Sequence, residues 1–334
     1  MFGYLRFFLA YLVLLSHIYI KFYGLNVGVF AVVIFYILAG FVVSHLYLNI
    51  LPKTKDRIYL FYKDRFLRIF PLYIYVVIIT LLFLFVTSYG NPKYNIQNLV
   101  SNFTIIPLNY YMYLDSTVLQ KPSWCLIPPA WSLGAELQAY ILLSIVLVLK
   151  KTKYILAILT MVVYVLANFS VFHPDYFGYR FLLGVFFIFL IGSCLQKIKS
   201  NKTEDNFDKY FPLFVWIVIL ILTPIFYITN SFSPTWTKET FIGLLIGIPL
   251  IYFLTKIKIK LPFDTFFGSL SYGIFLTHFL AIWILDYLNF TKKDDFYLVS
   301  LTFLSILIAL VGIYLIENNI TNYRKNNSKQ QNSR

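Results

Sequence analysis

Ten mostly apolar stretches dominate this chain, at residues 7–23, 27–48, 69–88, 130–149, 154–172, 179–196, 210–228, 240–255, 267–288 and 296–316. Each is close to the length of one bilayer crossing by a helix, roughly 20 residues. Hydrophobic residues make up 60% of the 334 and charged residues 13%, more apolar surface than a soluble fold of this length would bury. Inside a bilayer every backbone N–H and C=O must be satisfied within the chain, which leaves helices or closed barrels. Barrel strands alternate apolar and polar residues, and these runs are continuous. The expected fold is therefore all-α, a polytopic transmembrane helical bundle of about ten spans. Stretches eight and nine are divided only by the short linker "KIKIKLPFD". The first stretch lacks a small-x-small cleavage site and leads straight into the second, so it reads as a span and not as a removable signal.

The net charge of +14 raises nucleic acid as a partner, but the distribution argues for topology instead. Twenty of the 28 Lys and Arg residues fall on one side of a ten-span arrangement: Lys53, Lys55, Arg57, Lys63, Arg65 and Arg68; Lys150, Lys151 and Lys153; Lys197, Lys199, Lys202 and Lys209; Lys256, Lys258 and Lys260; and Arg324, Lys325, Lys329 and Arg334. Five fall on the other: Lys93, Lys121, Lys238, Lys292 and Lys293. Arg6, Lys21 and Arg180 sit in or at the ends of spans. The positive-inside rule then places both termini and the basic loops in the cytoplasm. No nucleic-acid partner is expected; lipid is.

Cys125 and Cys194 fall near opposite ends of the span pattern, too far apart to bridge, and no Cys/His spacing resembles a metal site. No internal repeat is visible. The loop over about 89–129 is too short for a further domain. Residues 1–320 read as one membrane domain, followed by a polar tail, 321–334, expected to be disordered.

Polar residues inside the spans carry the functional information, because ionisable groups are costly in a membrane and usually functional. In "RFFLAYLVLLSH", Arg6 and His17 are eleven residues apart, 20° past three helical turns, so both face the same way about 16 Å apart along the axis. They mark two depths of one path and cannot form a simple ion pair. The plain alternative is a positive-inside arginine and a packing histidine. In "KDRFLRIFPLYIY", Arg65 and Arg68 are one turn apart before Pro71. The chain uses Lys 21 times and Arg only seven, so these two guanidinium forks suggest bidentate phosphate binding beyond mere charge.

In "PPAWSLGAELQAY", Pro128 and Pro129 open a helix, Trp131 suits an interface, and Ser132 and Glu136 share a face. Glu136 has no Lys or Arg within a turn. In "FGSLSYGIFLTH", Ser271 and His278 share a face, and Gly268 and Gly273 permit close helix approach. His45 and His173, near span ends, read as structural.

These four elements, R-x10-H, R-x-x-R-I-x-P-x-Y, W-S-L-x-x-E and S-Y-G-x-F-x-x-H, occur in the order that acyltransferase family 3 shows, and the chain resembles that family over nearly its whole length. The resemblance implies a bacterial multi-pass protein of the cytoplasmic (inner) membrane. Such proteins move acyl groups, mostly acetyl, onto surface and secreted carbohydrates, free or lipid-linked. It implies that Arg6 and His17 are needed for activity, with His17, Glu136 and Arg6 catalytic. It further implies that Arg65, Arg68 and Arg6 handle acetyl-CoA, the co-substrate donor, and that Trp131, Ser132, Tyr272 and His278 face the acceptor. The chain departs from the common Glu-x-Pro at the end of the last span: Glu317 is followed by two asparagines.

His17 suits a general base, since neutral imidazole accepts a hydroxyl proton near neutral pH; a covalent acyl-histidine is the alternative. The rival function is a transporter or flippase that uses the same groups as a proton relay. It does not call for an arginine-bearing basic loop. A purely structural role leaves four polar motifs unexplained.

Overall fold

The structure is a computed structural model, and it describes residues 1–18, 22–291 and 295–324. Lys21, Lys292, Lys293, Lys325, Lys329, Arg334 and the tail beyond residue 324 lie outside the described residues.

Among the described residues the regular structure is helical apart from one two-stranded ribbon. Its helices are α1 (Phe2–His17), α2 (Val27–His45), α3 (Arg57–Thr87), α4 (Ile96–Thr104), α5 (Trp131–Val148), α6 (Thr152–Asn168), α7 (Leu182–Lys199), α8 (Asn206–Ile228), α9 (Thr237–Lys256), α10 (Asp264–Tyr287) and α11 (Asp295–Gly312). The ribbon pairs β1 (Leu119–Gln120) with β2 (Ser123–Trp124). Among the described residues, eight helices are long and apolar enough to cross a membrane, and α1 and α6 are shorter apolar helices. Each of the ten apolar stretches thus corresponds to a helix, and 240–255 and 267–288 are separate as α9 and α10.

Three boundaries differ from the sequence expectation. Helix α1 stops at His17, short of residue 23, where Phe22 and Leu25 close a turn. Helix α3 begins at Arg57, well ahead of residue 69, because its charged first turns continue the helix. The last helix runs through a π turn at Ile313–Glu317 to Arg324, so residues 321–324 are helical.

The helices form two compact units. The first comprises Met1–Phe2, Leu15–Ile50 and Ala135–Pro262. Its centre is α7, which α2, α6, α8 and α9 all touch. Small residues set the closest approach, as expected where lipid supplies no hydrophobic drive between helices. A Cβ on Gly40 of α2 would collide with the Phe189 carbonyl, and one on Gly192 of α7 with the Ile37 carbonyl. Asn26 starts α2 by accepting from the N–H groups of Gly28 and Val29 (3.0 and 3.3 Å), and its own N–H donates to the buried Glu239 carboxylate (3.1 Å). At the other end Lys153, Lys197 and Asp208 are all buried. Lys153 donates to Asp205 and Asp208 (both 2.9 Å) and Lys197 to Asp208 (3.0 Å), tying α6, α7 and α8 together. A buried charge without such partners would be untenable.

The second unit comprises Gly3–Leu14, Leu51–Gly134 and Phe263–Arg334. Its most enclosed helix is α10, packed on α3, α11 and the Pro128–Ala130 turn. The Asp264 carboxylate at the start of α10 accepts from the N–H groups of Gly3 and Tyr4 (3.0 and 3.4 Å) and so caps α1, where orphan donors and the helix dipole both favour an anion. Asn102 organises the loop over 89–129. Its side chain donates to the Asn98 and Ser116 carbonyls (2.8 Å each) and accepts from Leu126 N–H (2.8 Å), and its carbonyl takes the Tyr73 hydroxyl (2.6 Å).

Candidate active site

Arg6 and His17 share the single uninterrupted helix α1. Arg6 is half-buried one turn after the capped Gly3, and His17 is the last helical residue, also half-buried.

Arg65 and Arg68 lie on α3 in the second unit, where carboxylates orient both forks. Arg65 pairs with the adjacent Asp64, which also takes Nε and Nη2 of Arg324 (2.9 and 3.0 Å). Arg68 pairs with Glu317, whose carboxylate also accepts from Ser269 Oγ (2.8 Å). Three guanidiniums thus face two carboxylates, with Lys63 nearby against Tyr323. In these pairs guanidiniums outnumber carboxylates, and the arginines are held in fixed orientations, the arrangement that suits bidentate anion recognition.

Tyr272 joins this arginine cluster. Its ring lies 5.6 Å from the Arg68 guanidinium, and its hydroxyl donates to the Ile69 carbonyl (2.9 Å), beside Pro71, whose ring interrupts the helical ladder. Among the described residues it is thus seated with the arginines the sequence assigned to donor handling, although the resemblance assigned it to the acceptor. Glu317 was left without a role by the sequence reading, because its family pattern is broken. Its pairing with Arg68 is long-range and carries no local sequence signal.

Trp131 opens α5 half-buried, its carbonyl accepting from Asn109 Nδ2 (3.1 Å). Ser132 is buried and donates to the Pro129 carbonyl (3.0 Å), a local cap of the proline turn. Glu136, one turn on and half-buried, belongs to the first unit; its carboxylate accepts from the Tyr140 hydroxyl. His17 belongs to the same unit.

His278 is fully buried in the second unit between Phe275 and Phe279. Its Nδ1 is 3.0 Å from the Ile274 carbonyl, which can only accept, so Nδ1 carries a proton. His45 bonds to Asn49 and Gln196, and His173 stacks on Tyr176. Cys125, in the loop before α5, has its thiol pushed up to about 12 by burial, against opposing backbone hydrogen bonds from Ile127 and its own N–H, so it stays protonated and poorly nucleophilic. Among the described residues no group of three or more His, Cys, Asp or Glu could hold a metal ion.

Sequence reasoning missed a second polar cluster, in the first unit. Arg180, counted only as a span-end charge, donates through Nε to Asp175 (2.7 Å), and Trp236 Nε1 donates to the same oxygen (2.7 Å). Its signal was present: a rare arginine in a lysine-rich chain, five residues after an aspartate.

Comparison with known proteins agrees with the motif order. An uncharacterized protein of Aquifex aeolicus (strain VF5) is 43% identical over 223 residues, which cover 64% of this chain and 99% of that protein. No solved structure matches. The family described as "Acyltransferase domain" matches residues 2–317, from the first residue of α1 to the glutamate that pairs with Arg68. The chain belongs to acyltransferase family 3.

Proposed function

We propose that this acyltransferase takes an acetyl group from cytoplasmic acetyl-CoA and moves it to a hydroxyl of a bacterial surface or secreted carbohydrate, free or lipid-linked. In this reading it crosses the cytoplasmic membrane about ten times, with both termini inside. The observation that carries the donor assignment is the oriented guanidinium cluster of Arg65, Arg68 and Arg324, with more positive than negative charge. The nucleotide end of coenzyme A is rich in phosphate, and Arg forks match phosphate geometry. Carboxylates that hold the forks when no donor is bound exchange places with phosphates when it is. A transporter reading leaves this cluster without a purpose.

In the chemistry we propose, His17 accepts the proton of the acceptor hydroxyl as its oxygen attacks the thioester carbonyl; the C–S bond then breaks and the coenzyme A thiolate takes the proton. In the covalent variant the imidazole nitrogen attacks the thioester carbonyl, the C–S bond breaks and the coenzyme A thiolate leaves with the imidazole proton; the acceptor oxygen then takes the acetyl group as the N–C bond breaks and its proton returns to the imidazole. Arg6, on the same face of α1, positions the donor. Glu136, Trp131 and Ser132 contribute to the acceptor side. His278, whose Nδ1 donates to the Ile274 carbonyl, contributes to substrate binding.

The test is titration of acetyl-CoA into the detergent-purified protein by calorimetry at several salt concentrations. Saturable binding that weakens steadily with salt is expected, because phosphate contacts are screened. Absence of binding overturns the donor assignment.

A further inference from the structure

Tyr36 lies midway along α2 with 3% of its surface exposed. Its ring packs on Phe189 of α7, centroids 4.7 Å apart, where Gly40 and Gly192 bring the two helices together backbone to backbone. The ring is clamped, so the direction of its hydroxyl is fixed. That hydroxyl has no hydrogen-bond partner among the described residues.

Its surroundings are not apolar. Glu136, Tyr179 and Arg180 are all within electrostatic reach of it. Two of these have partners of their own: Tyr140 donates to Glu136, and Asp175 holds Arg180. The phenol hydroxyl hydrogen-bonds to none of these groups. If packing alone mattered, phenylalanine would serve, and the chain uses Phe 35 times. A buried polar group left unpaired is disfavoured unless something else pairs it.

We propose that the Tyr36 hydroxyl is a binding residue for the acyl acceptor, pairing with an acceptor hydroxyl in a subsite formed with Glu136 and Arg180. The local charges select a neutral ligand. Glu136 and Asp175 outnumber Arg180, so an anion is not favoured, and a phenol can both donate to and accept from a hydroxyl. The assignment rests on the carbohydrate-acceptor reading above.

The test compares wild type with Tyr36→Phe, which keeps the ring and removes only the oxygen. Membranes from cells expressing each are supplied with acetyl-CoA labelled in its acetyl group, and alkali-labile label in the carbohydrate fraction is counted. Thermal stability and acetyl-CoA affinity are measured on the purified proteins. Tyr36→Phe is expected to be at least as stable as wild type, because it deletes an unpaired buried hydroxyl. It is expected to bind acetyl-CoA within twofold and to lose about tenfold in labelling at limiting acceptor, the size of one hydrogen bond. Equal labelling by the two proteins overturns the assignment alone. Absence of label in wild type overturns the carbohydrate reading and this assignment with it.

Discussion

Arg68 illustrates how much depends on the shape of one side chain. It pairs with Glu317 and lies over the Tyr272 ring, and a lysine would keep its charge but lose the planar fork. If the fork grips phosphate, Arg68→Lys weakens acetyl-CoA binding by about tenfold, roughly 1.4 kcal/mol, as one charge-assisted hydrogen bond is lost. Calorimetry on wild type and variant checks this, and unchanged affinity returns Arg68 to a structural ion pair with Glu317. Asp205, just ahead of α8, carries a pH dependence. Burial alone would raise its carboxyl, but the hydrogen bonds from Lys153 and Tyr154 outweigh that and hold it down at about 2. Because the folded value is depressed, the stabilisation is present above the ordinary carboxylate value and is lost as pH falls from about 4 towards 2. The stability gap between wild type and Asp205→Asn therefore closes over that window in thermal unfolding followed against pH. A constant gap contradicts the assignment.

At the scale of helices, α2 and α7 are the most constrained pair. Gly40 faces the Phe189 backbone and Gly192 the Ile37 backbone, so neither has room for a methyl group. Backbone cannot swing aside as a side-chain tip can, and overpacking of this kind costs about 1–3 kcal/mol or more. Gly40→Val is expected to lower thermal stability in detergent and to disturb the Tyr36 clamp with it. A variant as stable as wild type would show that the helices separate easily. Existence and type were legible for every apolar helix, because a long continuous apolar run reads as a helix, and among the described residues eight of them are long and apolar enough to cross a membrane. The ends were less legible. Helix α3 extends back to Arg57 through charged turns that look like loop, and α1 stops at His17 although apolar residues follow. The short α4 and the β1–β2 ribbon were not foreseen within 89–129, since their order comes from Asn102, whose four bonds reach residues up to 29 positions away.

At the scale of the whole molecule, the motif order pointed to the family, and the match over residues 2–317 agrees. The pairings within the candidate site were not legible. Glu317 meets Arg68 across 249 positions of sequence, and Tyr36 looks like one more aromatic in an apolar run. The charge pattern predicts that both termini are cytoplasmic: twenty basic residues on one side against five. Alkaline phosphatase fused to the C-terminus is therefore expected to be inactive in cells, and an active fusion contradicts the topology. The central claim, that a family 3 acyltransferase here performs acetyl transfer at His17, is tested most directly by measuring transfer from labelled acetyl-CoA in membranes that contain wild type or His17→Ala at matched abundance. The account predicts that His17→Ala abolishes transfer while binding acetyl-CoA nearly as well as wild type, because it removes the proton or acyl acceptor and leaves the arginine cluster intact. Near-native transfer by His17→Ala would contradict it and move the chemistry to His278 or Glu136.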